Sequence, residues 1–405
     1  MSARTDPTAR VGIDRDALLD LARALVRLPT VNRPEEGLSE APAAELVAGW
    51  MRERGWSPLV EEVAPGRPNV ICVIDGGGGP GRTLLFEGHT DVVTEGERSE
   101  WERDPFGAEV ADGRLWGRGA ADMKGGLAAM LFAADALARE RPWPGRLVLA
   151  VLADEEGMML GAKGFVAAGH ARGVDAAIIC EPEGGELCLT QKGAIRARVV
   201  ATGRMTHGAM PQHGLNPVPA LAAFVLEMAD VERQLHERHG EDQHLGWPYV
   251  TPTVLRVGHP DQVNVIPAGG AVFLDVRTTP AIDHAELLAR LSEAAVAVGE
   301  RLGLDLRVEV IDDRPSTSTA PDAPVARAVA AAHEAIHGSP PPVGGVPGTT
   351  DGTILWRDAG IPVVTYGPGG KWIAHQANEH VAVGELGDYA EVYAEAARRF
   401  LRGDA

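Results

Sequence analysis

Lysine is nearly missing from this chain of 405 residues. Four lysines (Lys124, Lys163, Lys192, Lys371) stand among 38 basic residues, against 57 acidic ones. The formal net charge of −19 argues against nucleic acid as a partner, because phosphate binding needs clustered Lys and Arg. Cysteine is scarce as well. Cys72, Cys180 and Cys188 form an odd set without CxxC spacing, which argues against a disulfide framework and fits a reducing, cytoplasmic compartment. No run reaches the roughly 18 apolar residues that a membrane helix needs. The opening "MSARTDPTARVGIDRD" lacks the apolar stretch of a signal peptide. What remains is a soluble globular composition, 45% hydrophobic and 23% charged, in a chain too long for one core. About two domains are expected.

Apolar periodicity predicts helices over 14–28, with Asp14 as cap, and over 41–55, stopping at Gly55. "NVICVIDG" (69–76) and "RTLLFEG" (82–88) read as strands, with "GGGGPG" between them as a hairpin loop. A long helix is expected over about 123–139, then the apolar strand "RLVLAVLA" (146–153), a helical "AKGFVAAGHARG" and the buried strand "DAAIIC" (175–180). Strands alternating with helices imply a doubly wound α/β domain with a mostly parallel sheet. Near Lys192 the texture changes to β ("IRARVVATG", 195–203), α (217–238), β (252–257), β (270–278), α (283–302), β (305–312). This is βαββαβ, an open-faced α+β sandwich of ferredoxin-like order. The α/β texture then returns with a helix at 323–337, a strand at 361–366 and a helix at 386–402. The expected organisation is therefore one discontinuous domain (1–192 and 313–405) with a second inserted (193–312).

In an open α/β sheet, reactive groups gather at the carboxyl ends of the strands. Here the strand at 83–87 ends in "GHTD" with His89 and Asp91. The strand at 146–153 ends in "DEEG" with Glu155 and Glu156. The strand at 175–180 is followed by Glu181. The last leads through "GPGGKWIAH" to His375, and Asp122 stands just ahead of a helix. Each alone has a plainer reading. His89 could cap a turn, the acids after 153 could start a helix, Glu181 could be a loop acid, and His375 competes with His380. Jointly, two imidazoles and several carboxylates without a thiolate suit divalent ions such as Zn²⁺, Co²⁺ or Mn²⁺. Without a cation the carboxylates would repel and their pKa values would rise. Two ions about 3.5–4 Å apart would neutralise them.

The motifs "GHTDVV", "WERDPF", "GRGAADMKGG", "ADEEG", "CEPEGG" and "AHQANEHV" together resemble the co-catalytic metallopeptidase and deacylase family of acetylornithine deacetylases, succinyl-diaminopimelate desuccinylases, aminoacylases and glutamate carboxypeptidases. The resemblance implies two divalent metal ions per subunit, Zn²⁺ first. His89 and Glu181 would hold one, Glu156 and His375 the other, with Asp122 bridging. It further implies that Asp91 orients His89 and that Glu155 is the general base for hydrolysis of the amide of a small N-acyl amino acid. A metallo-exopeptidase acting on dipeptides is the alternative. The inserted domain would act as a lid and homodimerisation surface. His207 would reach the neighbouring subunit's site, Asn264 and Arg277 would bind the substrate carboxylate, and Thr349, Thr350 and Asp351 would line the pocket. Desuccinylases carry an Arg-rich stretch before the lid and an Arg after the "TSDG"-type loop. Those places read "KGAIRA" and "TTDGTI" here, with Thr353 in the Arg position, so a different acyl group or side chain is expected.

Overall fold

The computed structural model describes residues 12–404; most of the stretch read above for a signal peptide lies outside them. The chain divides into two compact units. One comprises Met1–Leu189, Thr319–Gly345 and Thr350–Ala405, and the other Thr190–Ser318 with Val346–Thr349. Among the described residues no helix is long and apolar enough to cross a membrane.

The central sheet of the first unit runs in the order Leu59–Ala64, Arg67–Asp75, Arg146–Leu152, Thr83–His89, Ala176–Ile179, Val363–Thr365, Leu187–Gln191. The four middle strands are parallel, and their ends are in register. His89 lies opposite Leu152, while Glu87, Ile179 and Thr365 form one row. These strands are buried on both faces, which is why they read as unbroken apolar runs. Helices Arg15–Val26, Ala41–Glu53, Gly125–Arg139, Pro324–His337 and Val383–Arg402 build the core on one face. Leu160–Ala167 and Gly352–Ala359 build it on the other. Asp14 caps the first helix by accepting the Ala17 N–H at 3.0 Å.

The expected hairpin at "GGGGPG" is not one. Arg146–Leu152 lies between the two strands, antiparallel to Arg67–Asp75 and parallel to Thr83–His89. The glycines instead cross the entry to that middle strand, where Gly76 and Gly78 donate to the carbonyls of Gly145 and Trp143. A Cβ on Gly76 would lie 2.1 Å from the Trp143 carbonyl oxygen, so the close crossing demands glycine. The helix expected from about 123 begins at Gly125, because Asp122 and Met123 have non-helical backbones in an irregular wide turn over Ala120–Lys124.

The second unit is βαββαβ. Strands Gly193–Thr202, Tyr249–Val257, Gly269–Thr278 and Asp305–Arg314 form an antiparallel sheet, and helices Val218–His239 and His284–Leu302 cover one face. A two-stranded ribbon pairs Thr206–His207 with Val265–Ile266.

Candidate active site

The aligned strand ends and the 120–124 turn converge on one acidic centre. His89 Nε2 lies 3.3 Å from Asp122 Oδ1 and 3.4 Å from Glu181 Oε1. His375 Nε2 lies 3.1 Å from Asp122 Oδ2 and 2.9 Å from Glu156 Oε1. Asp122 thus turns one oxygen to each imidazole. Two groups with metal-ligand chemistry share it, His89–Asp122–Glu181 and Asp122–Glu156–His375, each with donor atoms within 4.8 Å of one another. A third such group, His89–Glu155–Glu156, brings Glu155 to the same place. His380, the competitor of His375, instead packs on Trp116 at 4.4 Å and pairs across a strand with it.

Asp91 is the hub beneath these groups. Its Oδ1 accepts the Glu155 N–H at 3.1 Å, and its Oδ2 accepts the Glu156 N–H at 3.1 Å. His89 Nδ1 lies 2.9 Å from the Asp91 carbonyl oxygen and 3.4 Å from its carboxylate. With only acceptors facing Nδ1, that nitrogen carries the proton and Nε2 is left towards Asp122 and Glu181.

The electrostatics are those of a site short of positive charge. Burial, then the Asp122 charge, pushes the Glu181 carboxyl up to about 8. Burial raises Glu155 well above the carboxylate range, and Glu156, Glu181 and Asp351 add to it. Burial also opposes ionisation of Asp122, yet contacts with His375 and His89 outweigh it and hold that carboxyl low. The same contacts, with Asp122 and then Glu156, raise His375 to about 11. The ring protons therefore serve as stand-in cations, and a pair of divalent ions would replace them on oxygen and imidazole donors of the right kind.

Two buried carboxyls beside the centre were given no role of their own from the sequence. Glu379 is fully buried; its Oε1 accepts the N–H groups of Ala121 and Asp122 at 2.9 and 3.0 Å, and its Oε2 pairs with the buried Arg118 at 2.5 Å. It shapes the turn that presents Asp122. Glu87, two residues before His89, is buried as well; burial and Asp351 push its carboxyl well up.

Asp351 is buried at the start of helix Gly352–Ala359, and the Thr350 hydroxyl accepts the Gly352 N–H. Thr353 is fully buried and donates to the Thr350 carbonyl at 3.0 Å. Thr349 belongs to the second unit. There the ribbon brings His207 and Asn264 together, since Gly208 N–H donates to the Asn264 carbonyl at 2.6 Å. The exposed His207 accepts the Ala209 N–H. Arg277, on the sheet, forks onto Asp275 at 2.6 and 3.0 Å.

Comparison with known proteins gives the centre its context. The chain matches the family described as Peptidase family M20/M25/M40 over residues 85–399. It is 36% identical to a succinyl-diaminopimelate desuccinylase of Methylorubrum extorquens, across 93% of this chain and 96% of that one. It is 33% identical to an enzyme of the same name from Cereibacter sphaeroides, across 92% and 96%. In fold it resembles an M20 family metallo-carboxypeptidase from Sulfolobus solfataricus, with a TM-score of 0.76 and 19% identity over 95% of this chain and 99% of the other. A dinuclear metal binding peptidase of the M20 family from Bacillus subtilis superposes with a TM-score of 0.71 at 18% identity, over 96% and 98%. The chain belongs to the peptidase family M20/M25/M40, whose members hydrolyse amide bonds.

Proposed function

We propose that this protein is a dinuclear metal-dependent amidohydrolase that removes the acyl group from an N-acyl amino acid. The observation that carries the reading is Asp122, with one carboxylate oxygen turned to His89 and the other to His375, beside Glu155. His89, Asp122 and Glu181 would hold one divalent ion, and Asp122, Glu156 and His375 the second, with Zn²⁺ favoured by the mixed imidazole and carboxylate donors. When bound, such ions supply positive charge that acidifies water and stabilises an oxyanion.

The remaining chemistry falls to side chains. Glu155 takes a proton from the attacking water as its oxygen bonds to the amide carbon. It returns that proton to the nitrogen as the C–N bond breaks. Asp91 holds the Glu155 and Glu156 backbones and the His89 ring, so the base keeps its aim without moving. The second unit is assigned the role of lid and homodimerisation surface, with His207 and Asn264 assisting from it. Arg277 binds the substrate carboxylate, for which Asp275 is the resident stand-in. Thr349, Thr350 and Asp351 line the pocket.

Relatives named succinyl-diaminopimelate desuccinylase support a deacylase. The buried Thr353, where desuccinylases carry an Arg, favours an acyl group without a second carboxylate to bind there. The test is a panel of N-acetyl, N-formyl and N-succinyl amino acids and dipeptides with metal-loaded protein. Metal-dependent release of an amino acid from an N-acyl substrate is expected, reduced in Glu155→Gln by about 10²-fold or more. Cleavage of succinyl-diaminopimelate alone would refute the acyl assignment, and cleavage of dipeptides alone would make the protein an exopeptidase.

A further inference from the structure

Behind the centre lies a buried polar assembly to which the mechanism gives no part. Arg67, 4% exposed, donates from Nη1 to Glu40 Oε1 at 2.9 Å and to Asp154 Oδ1 at 2.6 Å, and from Nη2 to Asn32 Oδ1 at 2.9 Å. Asn32 Nδ2 then donates to Asp154 Oδ1 at 3.0 Å and to Asp91 Oδ2 at 2.6 Å. Glu40 is tied in through the Thr90 hydroxyl, which donates to its Oε2 at 2.6 Å. Asp154 has a left-handed backbone (φ +67°), and its Oδ2 accepts the N–H groups of Met158 and Leu160.

The chemistry fixes the orientation of Asn32. Arg67 can only donate, so it claims the amide oxygen; the amide NH₂ is thereby turned to two carboxylates. Asn32 is thus a donor placed between Asp91 and Asp154, acids that would otherwise face each other without a proton between them. Asp91 in turn carries His89, from one ligand group, and the backbone of Glu156, from the other, together with that of Glu155.

We propose that Asn32 is a positioning residue of the dinuclear centre: through the Asp91 carboxylate it couples the orientation of His89 in one ligand group to that of Glu156 in the other. The inference rests on the two-cation reading above. Orienting groups one step behind metal ligands typically change affinity or activity by about 10- to 100-fold when altered.

The test is Zn²⁺ titration of the full chain, by calorimetry with chelator competition, for wild type and Asn32→Asp. That variant keeps the side-chain size and removes the shared donor. Both Zn²⁺ affinities are expected to fall together by about 10- to 100-fold, with kcat reduced and KM little changed. A variant that melts earlier but binds both ions as wild type does would overturn the proposal, as would weakening confined to one ion. Should Asn32→Asp fail to fold, Arg67→Lys carries the same expectation, since lysine keeps the charge and loses the second nitrogen that holds the amide; unchanged affinities there overturn the proposal equally. Wild-type protein binding fewer than two Zn²⁺ would instead overturn the two-cation reading itself.

Discussion

Removing the Glu379 carboxylate is expected to damage the protein more than removing any surface acid. The residue is fully buried beside Arg118, which is itself 1% exposed. Glu379→Ala strands that guanidinium without its counter-charge, at a cost of about 3–5 kcal/mol. It also leaves the Ala121 and Asp122 N–H groups without their acceptor, at about 1–3 kcal/mol each. Groups in one network do not add simply, so the first figure serves as the lower bound. For a unit of this size about 2–4 °C is lost per kcal/mol, and a fall of about 6 °C or more is expected. The assay is thermal unfolding of chelator-treated protein, so that bound metal does not mask the change. Arg118→Met combined with Glu379→Gln should recover most of the loss. Glutamine keeps an oxygen for the two N–H groups, and no charge is left stranded. A single variant that loses less than about 1 kcal/mol, or a double variant no better than the single, would refute the reasoning.

Two further outcomes follow from the same geometry. In the cation-free protein Glu181, raised by burial to about 8, and His375, raised by Asp122 and Glu156 to about 11, both hold protons at neutral pH. Cations must displace them, so apparent Zn²⁺ affinity should rise between pH 6 and 8 by about tenfold per unit for each proton released; a flat chelator-competition profile would contradict this. Gly126→Ala would set a Cβ 2.1 Å from the Cys180 carbonyl oxygen, beside Glu181. Overpacking of this kind costs about 1–3 kcal/mol, so a melting temperature equal to wild type would show that the helix start has room to shift.

Much of this architecture was legible in the sequence because its signals are local. Apolar runs marked the middle strands, and periodicity marked helices such as 41–55 (observed Ala41–Glu53) and 323–337 (observed Pro324–His337). The polar tips of four parallel strands could be read as one site because parallel strands in register bring their ends together. Pairing order was less legible. The glycine run looked like a hairpin loop, and nothing local reveals that a strand about 70 residues later inserts between its flanks. Strand Leu59–Ala64 and helix Gly352–Ala359 were missed, being short and, for the strand, exposed or half-buried throughout. The supporting roles were invisible for a similar reason. Asn32, Arg67 and Glu379 matter through partners far along the chain: Asn32 bonds Asp154 across 122 positions, and Glu379 bonds Ala121 across 258. A lone Asn in a loop or a lone Arg at the start of a strand carries no such signal.

The most direct test of the two-cation centre is anomalous diffraction from crystals grown with Zn²⁺, recorded on both sides of the zinc edge. Two peaks about 3.5–4 Å apart are expected, one between His89 and Glu181, the other between Glu156 and His375, with Asp122 between them. A single peak, or peaks away from these side chains, would contradict the account.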